Sequence, residues 1–294
     1  MKEILITGEN SYIGTSFERY MLKYADSFSV DTVNMLSDSW QSFDFSGYDT
    51  VFHVAGIAHS DSGKISEEKA QLYRSVNTDL TVAVAKKAKD EGVGQFIFMS
   101  SAIVYGNSAP LGKTKMITKD TPVSPANVYG DSKVQAELGL RAIEDDNFKV
   151  VILRPPMIYG NGSKGNYPLL SKLAKKLPVF PKVDNRRSML YIENLCEFVK
   201  LMIENNESGT FWPQNSEYTN TADMVCAIAS VHNKKIRLTK IFNVGLVILR
   251  HLTPLVDKAF GSFTYDFEMS KYDKGDYRVA SFDESVIRTE RSKK

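Results

Sequence analysis

Short apolar runs alternate with longer amphipathic segments through the first two-thirds of the chain. The apolar runs predict buried strands at 4–6, 29–33, 50–54, Gln95–Met99 and 150–153. Apolar positions at helical spacing predict helices at 13–24, 67–91, 130–145 and Tyr167–Lys176. Strands that alternate with helices form a parallel, doubly wound sheet. Nearly continuous apolar strands such as VFHVA and FIFMS are typical of a sheet covered on both faces.

The alternation loosens after about Pro155, where segments rich in Gly, Pro and Asn indicate loops that shape a site. The apolar segment 241–256 belongs to this part. Nine residues separate Lys240 from Arg250, against about 20 needed to span a bilayer. We expect a helix packed into a small lobe, because the segment lacks a lysine-rich polar face; the alternative is an interfacial helix on a membrane. Packing predicts that four of its side chains are largely buried: Leu246, Ile248, Leu249 and Leu252.

Composition excludes several classes of protein. A hydrophobic fraction of 43% indicates a folded chain, not a disordered one. Thirty-seven Lys and Arg against 35 Asp and Glu leave a charge of +2, so no basic field favours nucleic acid. Cys196 and Cys226 cannot form a disulfide framework or, alone, a zinc site, and no metal site is predicted. The start, MKEILITGEN, is typical of a strand rather than a signal peptide, and a cytoplasmic location is expected.

The sequence TGENSYIG lies between the first predicted strand and the first predicted helix. Gly8 and Gly14 allow the tight turn and the close backbone approach that a pyrophosphate needs. The pyrophosphate would rest on the amides at the start of the helix, where Ser11, Tyr12 and Ile13 lie. Because Ser11 replaces the middle glycine of a G-x-x-G-x-x-G motif, this loop alone is also compatible with a purely structural turn.

A dinucleotide site needs a group on the ribose hydroxyls about 20 residues further on, usually a carboxylate. Asn34 lies there, and Asp38 follows it. No Lys or Arg between Lys23 and Lys64 could receive a 2′-phosphate. We expect Asn34 and Asp38 at the ribose and NAD as the cofactor, with NADP left open.

A second cluster carries candidate chemistry. Ser100 and Ser101 follow a predicted strand at its carboxyl end, where open α/β sheets bind ligands. Tyr129 and Lys133 are four residues apart and share a helical face. A nearby ammonium lowers the pKa of a phenol from about 10 towards neutrality. A serine hydroxyl facing the phenol can hold the substrate oxygen whose proton is exchanged.

The segments TGENSYIG, DTVFHVAGIAH, SVNTD, SSAIVYG, YGDSK and LRPPMIYG, in this order, resemble the extended short-chain dehydrogenase/reductases that act on nucleotide sugars. The resemblance implies an NAD(P)-binding Rossmann domain at 1–155, to which later segments return, and mainly a substrate-binding lobe at 156–294. It implies that Ser101, Tyr129 and Lys133 are catalytic and that Lys133 also holds the nicotinamide ribose. A homodimer is implied as well.

The resemblance assigns further residues to ligands. It adds these positions to the cofactor site: Ala55, Gly56, Asn77 and Pro155. Asn166 and Arg187 correspond to family residues that contact the diphosphate of the substrate, and a guanidinium suits phosphate oxygens. His59 lies just past the turn after the third strand and is a further substrate candidate, whereas His53 is expected to be a hydrogen-bonded residue of that strand.

The stretch 164–195 resembles a subgroup that handles N-acetylated hexosamines in surface-polysaccharide pathways. The leading expectation is an NAD-dependent 4-epimerase of UDP-N-acetylhexosamines, working through a transient 4-keto sugar. One alternative is an NADPH-dependent reductase of a UDP-4-keto-6-deoxy-N-acetylhexosamine. Two others are an epimerase of a polyprenol-diphosphate-linked sugar and a non-catalytic NAD-binding scaffold.

Overall fold

The structure is a computed structural model that describes residues 1–57, 65–253 and 255–292. Its helices are α1 (Tyr12–Met21), α2 (Glu67–Arg74), α3 (Leu80–Asp90), α4 (Val128–Arg141), α5 (Tyr167–Lys176), α6 (Ile192–Glu204), α7 (Thr221–Val231), α8 (Asn243–Leu249), α9 (Leu255–Phe260) and α10 (Phe282–Arg291). Its strands are β1 (Lys2–Thr7), β2 (Phe28–Val33), β3 (Thr50–His53), β4 (Gln95–Met99), β5 (Met116–Ile117), β6 (Lys149–Leu153), β7 (Met157–Tyr159), β8 (Val179–Pro181), β9 (Met189–Tyr191), β10 (Gly209–Phe211), β11 (Arg237–Thr239) and β12 (Thr264–Tyr265). A π-helical turn, Ser75–Asp79, joins α2 to α3.

The central sheet has six parallel strands in the order β10-β6-β4-β3-β1-β2. This confirms the predicted α/β fold with a Rossmann-type parallel sheet. From β1 the chain crosses first to β2 on one side and then to β3 on the other. The carboxyl ends of β1 and β3 therefore flank the point where the strand order reverses, which is where such sheets bind ligands.

Both faces of this sheet are covered, as the apolar strands predict. Successive side chains of a strand point to opposite faces. Ile4 and Ile6 belong to one buried core, which includes Phe17 of α1 and much of α6. Leu5, between them, belongs to a second core with Val84 of α3 and other residues of α3 and α4. Alternate residues of β1 thus belong to two different cores, so neither face of this strand is exposed to solvent.

The later part of the chain is interwoven with the first. The short strand β10 pairs with β6 and completes the central sheet. Outside that sheet, β7 pairs with β9, β8 with β11, and the early strand β5 with the late strand β12. The pairing of β7 with β9 places the segment after β6 beside the segment that contains Arg187. The exact boundary near residue 155 stays a prediction.

The prediction of a packed helix at 241–256 is wrong for α8. Three of the four side chains expected to be buried are exposed: Ile248 (62%), Leu249 (44%) and Leu252 (79%). Leu246 is partly buried against the main core, and the next helix, α9, buries Val256 and Phe260. The reason is that α8 has only two turns, so that few of its side chains can face the core at once. Across the described parts of the chain, no helix combines the length and apolarity needed to cross a membrane.

Candidate active site

The turn after β1 is built around a close approach of two strand ends. Gly8 has a φ of 130°, and its N–H donates to the carbonyl of Val33 at 3.1 Å. A Cβ at this position would lie 2.8 Å from the backbone nitrogen of Ala55, at the end of β3. Only glycine fits both the conformation and the space. Gly8 and Ala55, both predicted cofactor residues, therefore meet at the reversal of strand order.

Ser11 is the N-cap of α1. Its hydroxyl accepts a hydrogen bond from the backbone N–H of Gly14 at 3.1 Å, so the residue that replaces the middle glycine supports the start of the helix. Tyr12 and Ile13 are the first residues of α1 and pack against the main core. The amino end of α1, which carries a partial positive charge, thus lies beside the Gly8 turn at the carboxyl edge of the sheet.

Asn34 follows β2 directly and contacts a carboxylate that the sequence pattern does not predict at this site, that of Glu9. Its amide nitrogen donates to Oε2 of Glu9 at 2.6 Å, and its amide oxygen accepts from the N–H of Leu36 at 2.7 Å. Asp38 is exposed and begins a short 3-10 helix. Glu9 brings a negative charge to the place where the family pattern has an acid. A signal for it existed, because Glu9 is the acidic residue of the loop GENS.

The turn after β3 is held by Asn77. The side chain of this fully buried residue accepts from the N–H of Ile57 at 2.8 Å and donates to its carbonyl at 3.1 Å. A Cβ on Gly56, whose φ is 159°, would lie 3.0 Å from the amide oxygen of Asn77 and 3.3 Å from Nζ of Lys133. Asn77 lies in the π-helical turn, a feature common at functional sites. Gly56, Asn77 and Lys133 are therefore neighbours, although they are far apart in sequence.

Lys133 is buried on the inner face of α4. Its ammonium donates to the carbonyl of Met99 at 2.9 Å and lies 4.6 Å above the ring of Phe98. Burial lowers the pKa of Lys133 to about 8, and the negative charge of Glu137 partly opposes that shift. Burial therefore disfavours the charged form of this lysine.

Ser101 and Tyr129 are brought together by β4 and α4. The Ser101 hydroxyl lies close enough to the Tyr129 phenol to lower the pKa of that phenol. Burial has the larger, opposite effect and raises that pKa to about 12. The ring of Tyr73 lies 6.0 Å away. The expectation that the pKa of Tyr129 is lowered towards neutrality is therefore wrong in this structure, because the cost of burying the phenolate outweighs its stabilisation.

A buried ion pair behind this site was not predicted. Glu137 accepts from Ser100 at 2.5 Å and from two nitrogens of Arg154 at 3.0 and 2.5 Å. Arg154 also donates to the hydroxyl of Tyr105 at 2.7 Å. The spacing held a signal, since Glu137 is four residues beyond Lys133 and hence on the same helical face. The pair locks the ends of β4 and β6 to α4.

Pro155 contributes through its backbone. Its carbonyl accepts the N–H of Ala102 at 2.9 Å, immediately after Ser101. The end of β6 is thereby tied to the segment that carries the serine. The structure places Pro155 beside the candidate catalytic residue Ser101, and its role in the cofactor site stays a prediction.

Asn166 and Arg187 line one cavity of about 110 Å³. Most of the wall is apolar and includes Met157, Leu170, Met189 and Met224. The guanidinium of Arg187 donates to the carbonyl of Lys258 at 2.6 Å, and burial lowers its pKa from the usual value. Arginine stays protonated in proteins, so this wall presents a fixed cation. The two residues expected at the diphosphate are thus neighbours.

The two histidines singled out in the sequence have different outcomes. His53 is confirmed as a hydrogen-bonded strand residue: its ring nitrogens contact the hydroxyls of Thr7 at 2.7 Å and Thr81 at 3.1 Å. Burial lowers the pKa of His53 to about 3, so it stays neutral. His59 lies outside the described residues. Within the described ranges, no three His, Cys, Asp or Glu side chains are grouped to hold a metal.

Two curated relatives match most of this chain. A Vibrio cholerae protein named UDP-glucose 4-epimerase is 34% identical over 254 residues, which cover 79% of this chain and 76% of that protein. An Escherichia coli O157:H7 protein is 30% identical over 223 residues, which cover 70% of this chain and 64% of that protein. Its name is N-acetyl-alpha-D-glucosaminyl-diphospho-ditrans,octacis-undecaprenol 4-epimerase.

Solved structures share the fold over nearly the whole chain. UDP-glucuronic acid 4-epimerase from Bacillus cereus, in complex with NAD, has a TM-score of 0.73 at 17% identity and covers 98% of this chain and 97% of its own. RMD from Pseudomonas aeruginosa, complexed with NADPH, has a TM-score of 0.74 at 15% identity, with 99% of each chain covered. At these identities the likeness shows the fold.

The sequence itself matches the profile of one family over residues 4–212, which is well over half of the chain. The match spans the Gly8 turn, the strand ends and the Tyr129 helix, and it ends close after β10. The protein is an NAD(P)-dependent enzyme of the extended short-chain dehydrogenase/reductase type, and it belongs to the NAD dependent epimerase/dehydratase family.

Proposed function

We propose that the protein is an NAD-dependent 4-epimerase of an N-acetylhexosamine carried on a diphosphate, with UDP as the leading carrier. The observation that carries the proposal is that Ser101 and Tyr129 lie close together, with the buried ammonium of Lys133 on the same helix, α4, at the end of β4. This set adjoins the turns after β1 and β3, where a Cβ on Gly8 would collide with Ala55 and a Cβ on Gly56 would crowd Asn77 and Lys133. Tyr129, a candidate proton-transfer group, thus lies next to the proposed dinucleotide site.

The residues present fit NAD. The Gly8 turn and the amino end of α1 suit a pyrophosphate. Gly56 has no side chain beside Lys133, so a ribose could approach the lysine there. The carboxylate of Glu9 beside Asn34 suits ribose hydroxyls and disfavours a second phosphate. Bound NAD supplies the acceptor and donor of hydride for carbon 4 of the sugar.

The chain's own residues handle the proton on the 4-oxygen. Tyr129 takes the proton of the 4-hydroxyl as the carbon is oxidised, and Ser101 holds the same oxygen by a hydrogen bond. After the 4-keto sugar turns over, Tyr129 returns the proton to the oxygen on the other face. Lys133 would hold the nicotinamide ribose beside Tyr129.

Asn166 and Arg187 hold the diphosphate in this proposal. A partly buried guanidinium fixed by the carbonyl of Lys258 is a preorganised cation, and guanidinium groups match phosphate oxygens in geometry. The carrier group beyond the phosphates would occupy the mostly apolar cavity. The names of the two curated relatives, both 4-epimerases of diphosphate-linked hexoses, support this assignment.

A second carrier is favoured by one observation. The exposed apolar side chains of α8 precede α9, and α9 contributes Lys258 and Ala259 to the cavity. An apolar surface that directly precedes a cavity-lining helix in the chain suits a polyprenol carrier. The Escherichia coli relative is named for such a substrate.

The test is turnover without added reductant. Purified protein with NAD is incubated with UDP-N-acetylglucosamine, and proton NMR follows the sugar while absorbance follows the nicotinamide. We expect the galacto epimer with no net change in absorbance. Unchanged UDP-N-acetylglucosamine, together with NADPH oxidation on a 4-keto-6-deoxy sugar, would instead establish the reductase.

The Tyr129→Phe variant removes the proton-transfer group and keeps the ring. We expect its kcat to fall by about 10²–10⁴-fold, the usual contribution of such a group. Tyr73→Phe is the matched control, because it deletes a phenol hydroxyl from a ring only 6.0 Å away. Equal activity of the parent and Tyr129→Phe would contradict the assignment and favour the non-catalytic scaffold.

A further inference from the structure

The first two turns after β11 carry an exposed apolar surface. We call it the α8 surface and define it by five side chains with their exposed fractions: Ile241 (82%), Val244 (72%), Val247 (50%), Ile248 (62%) and Leu252 (79%). Leu246, on the other side of the helix, contacts the main core and fixes the orientation of α8. Single exposed apolar residues are ordinary on proteins, whereas five large ones within twelve residues form a patch that marks an interaction site.

The residues around the α8 surface are basic. The stretch 224–256 contains five Lys or Arg and no Asp or Glu. Four of the five precede the helix and are exposed: Lys234, Lys235, Arg237 and Lys240. Lys182 adjoins them, because its N–H donates to the carbonyl of Thr239 and its carbonyl accepts from the side chain of Asn243. The polar side absent from the helix itself is therefore supplied by β11 and by the residue after β8.

We propose that the α8 surface docks on an anionic lipid membrane. An apolar helix face bordered by lysine and arginine is the pattern of a segment that lies in the membrane interface, with apolar side chains about 5–10 Å deep. Anionic headgroups complement the basic border. A second copy of this chain is disfavoured as the occupant, because a two-fold contact through this surface would bring two basic borders together.

The position of the α8 surface suggests what docking achieves, and this step rests on the proposed function. Lys258 on α9 lines the cavity, and its carbonyl accepts from Arg187 at 2.6 Å. Only five residues lie between Leu252 and Lys258, so the Cα atoms of the two lie within about 20 Å even along a fully extended chain. A docked protein would hold its diphosphate cavity close to the headgroups. The substrate class this favours is a hexosamine diphosphate anchored in the bilayer by its lipid carrier.

Vesicle flotation of the full-length protein tests docking without any need for turnover. The vesicles contain phosphatidylcholine and phosphatidylglycerol in a three-to-one ratio. The variant Val244→Asp plus Ile248→Asp charges the surface at two exposed positions. The matched control, Leu22→Asp plus Met116→Asp, makes the same change at side chains that are 72% and 54% exposed elsewhere. Circular dichroism and thermal melting establish that both variants stay folded.

We expect the parent and the control to float and the surface variant to float at least tenfold less. Binding should weaken in high salt, because anionic lipids attract the basic border. A parent protein that stays unbound, or a surface variant that floats as well as the parent, would overturn the proposal. A third result would also overturn it: the parent is dimeric by light scattering, the surface variant is monomeric, and neither protein floats. A second copy of the chain would then be the occupant of the α8 surface.

Turnover separates this inference from the proposed function. With UDP-N-acetylglucosamine in solution the surface variant should match the parent. With polyprenol-diphosphate N-acetylglucosamine in the same vesicles its kcat/KM should fall at least tenfold. Equal rates on the vesicle substrate would overturn presentation from the bilayer. Flotation as expected with no turnover of either substrate would overturn the proposed function and leave membrane docking in place.

Discussion

Replacing Lys133 by methionine tests the electrostatics of the candidate site. Burial lowers the pKa of Lys133 from 10.5 to about 8. The charged form is therefore disfavoured in the folded protein by about 3 kcal/mol, since one pKa unit corresponds to about 1.4 kcal/mol. Methionine fills a similar volume and removes this cost. It also removes the donor to the Met99 carbonyl, which costs about 1–3 kcal/mol at every pH.

The sign of the pH dependence follows from the direction of the shift. Between pH 8 and 10.5 the unfolded chain binds the proton on Lys133, whereas the folded protein has released it. Stability from this group therefore rises with pH through that window and is lowest below pH 8. The variant lacks this contribution. Its stability relative to the parent should consequently fall by about 2.5 kcal/mol between pH 7 and pH 10.

Urea unfolding of the parent and Lys133→Met at the two pH values measures this change. Lys86→Met, at an exposed position of α3, is the matched control and should keep a constant difference from the parent. A Lys133→Met difference that is the same at both pH values would refute the burial argument. We also expect kcat of Lys133→Met to fall by about 10²-fold or more, because the variant lacks the ammonium that would position the nicotinamide ribose beside Tyr129.

Three further changes test other parts of the site. Gly8→Ala should destabilise the protein by about 1–3 kcal/mol, because the backbone at this position has a positive φ, and should weaken NAD binding at least about tenfold. Gly47→Ala, where the added methyl group meets open space, is the control and should change neither quantity. Thermal melts and NAD titrations measure the two effects. Arg187→Lys should raise KM for the sugar nucleotide far more than it lowers kcat in steady-state assays, since the bidentate fork is lost. Glu137→Gln should lower the unfolding free energy by about 3–5 kcal/mol in urea titrations, because it leaves Arg154 a buried, uncompensated charge; a loss below 1 kcal/mol would contradict the buried pair.

The sequence predicted the fold well where burial is dictated locally. Strands β1, β3 and β4 are apolar on both faces, and Tyr167–Lys176 has a helical period with its predicted bounds. The segment 67–91 was predicted as one helix, and the structure interrupts it with the π-helical turn that carries Asn77. Such a turn depends on contacts with Ile57 and α4, which no local pattern shows.

Two errors share one physical cause. The pKa of Tyr129 was judged from its neighbour on the helix, although burial by distant segments decides its direction. The polar side of α8 was judged from residues on that helix, although Lys182 and β11 supply the basic border. Spacing along the chain reports which residues share an element. It does not report what the fold brings against that element from elsewhere.

The most direct test of the epimerase assignment is the fate of a deuterium at carbon 4. N-acetylglucosamine labelled there is supplied on UDP and, in vesicles, on polyprenol diphosphate, with NAD and no reductant. If Tyr129 transfers the proton of the 4-oxygen while the carbon is oxidised and reduced within one binding event, mass spectrometry and NMR should find the inverted sugar with its deuterium retained. Tyr129→Phe should slow its formation by at least about 10²-fold. Inverted product that has lost the deuterium, or no inversion on either carrier, would contradict the account.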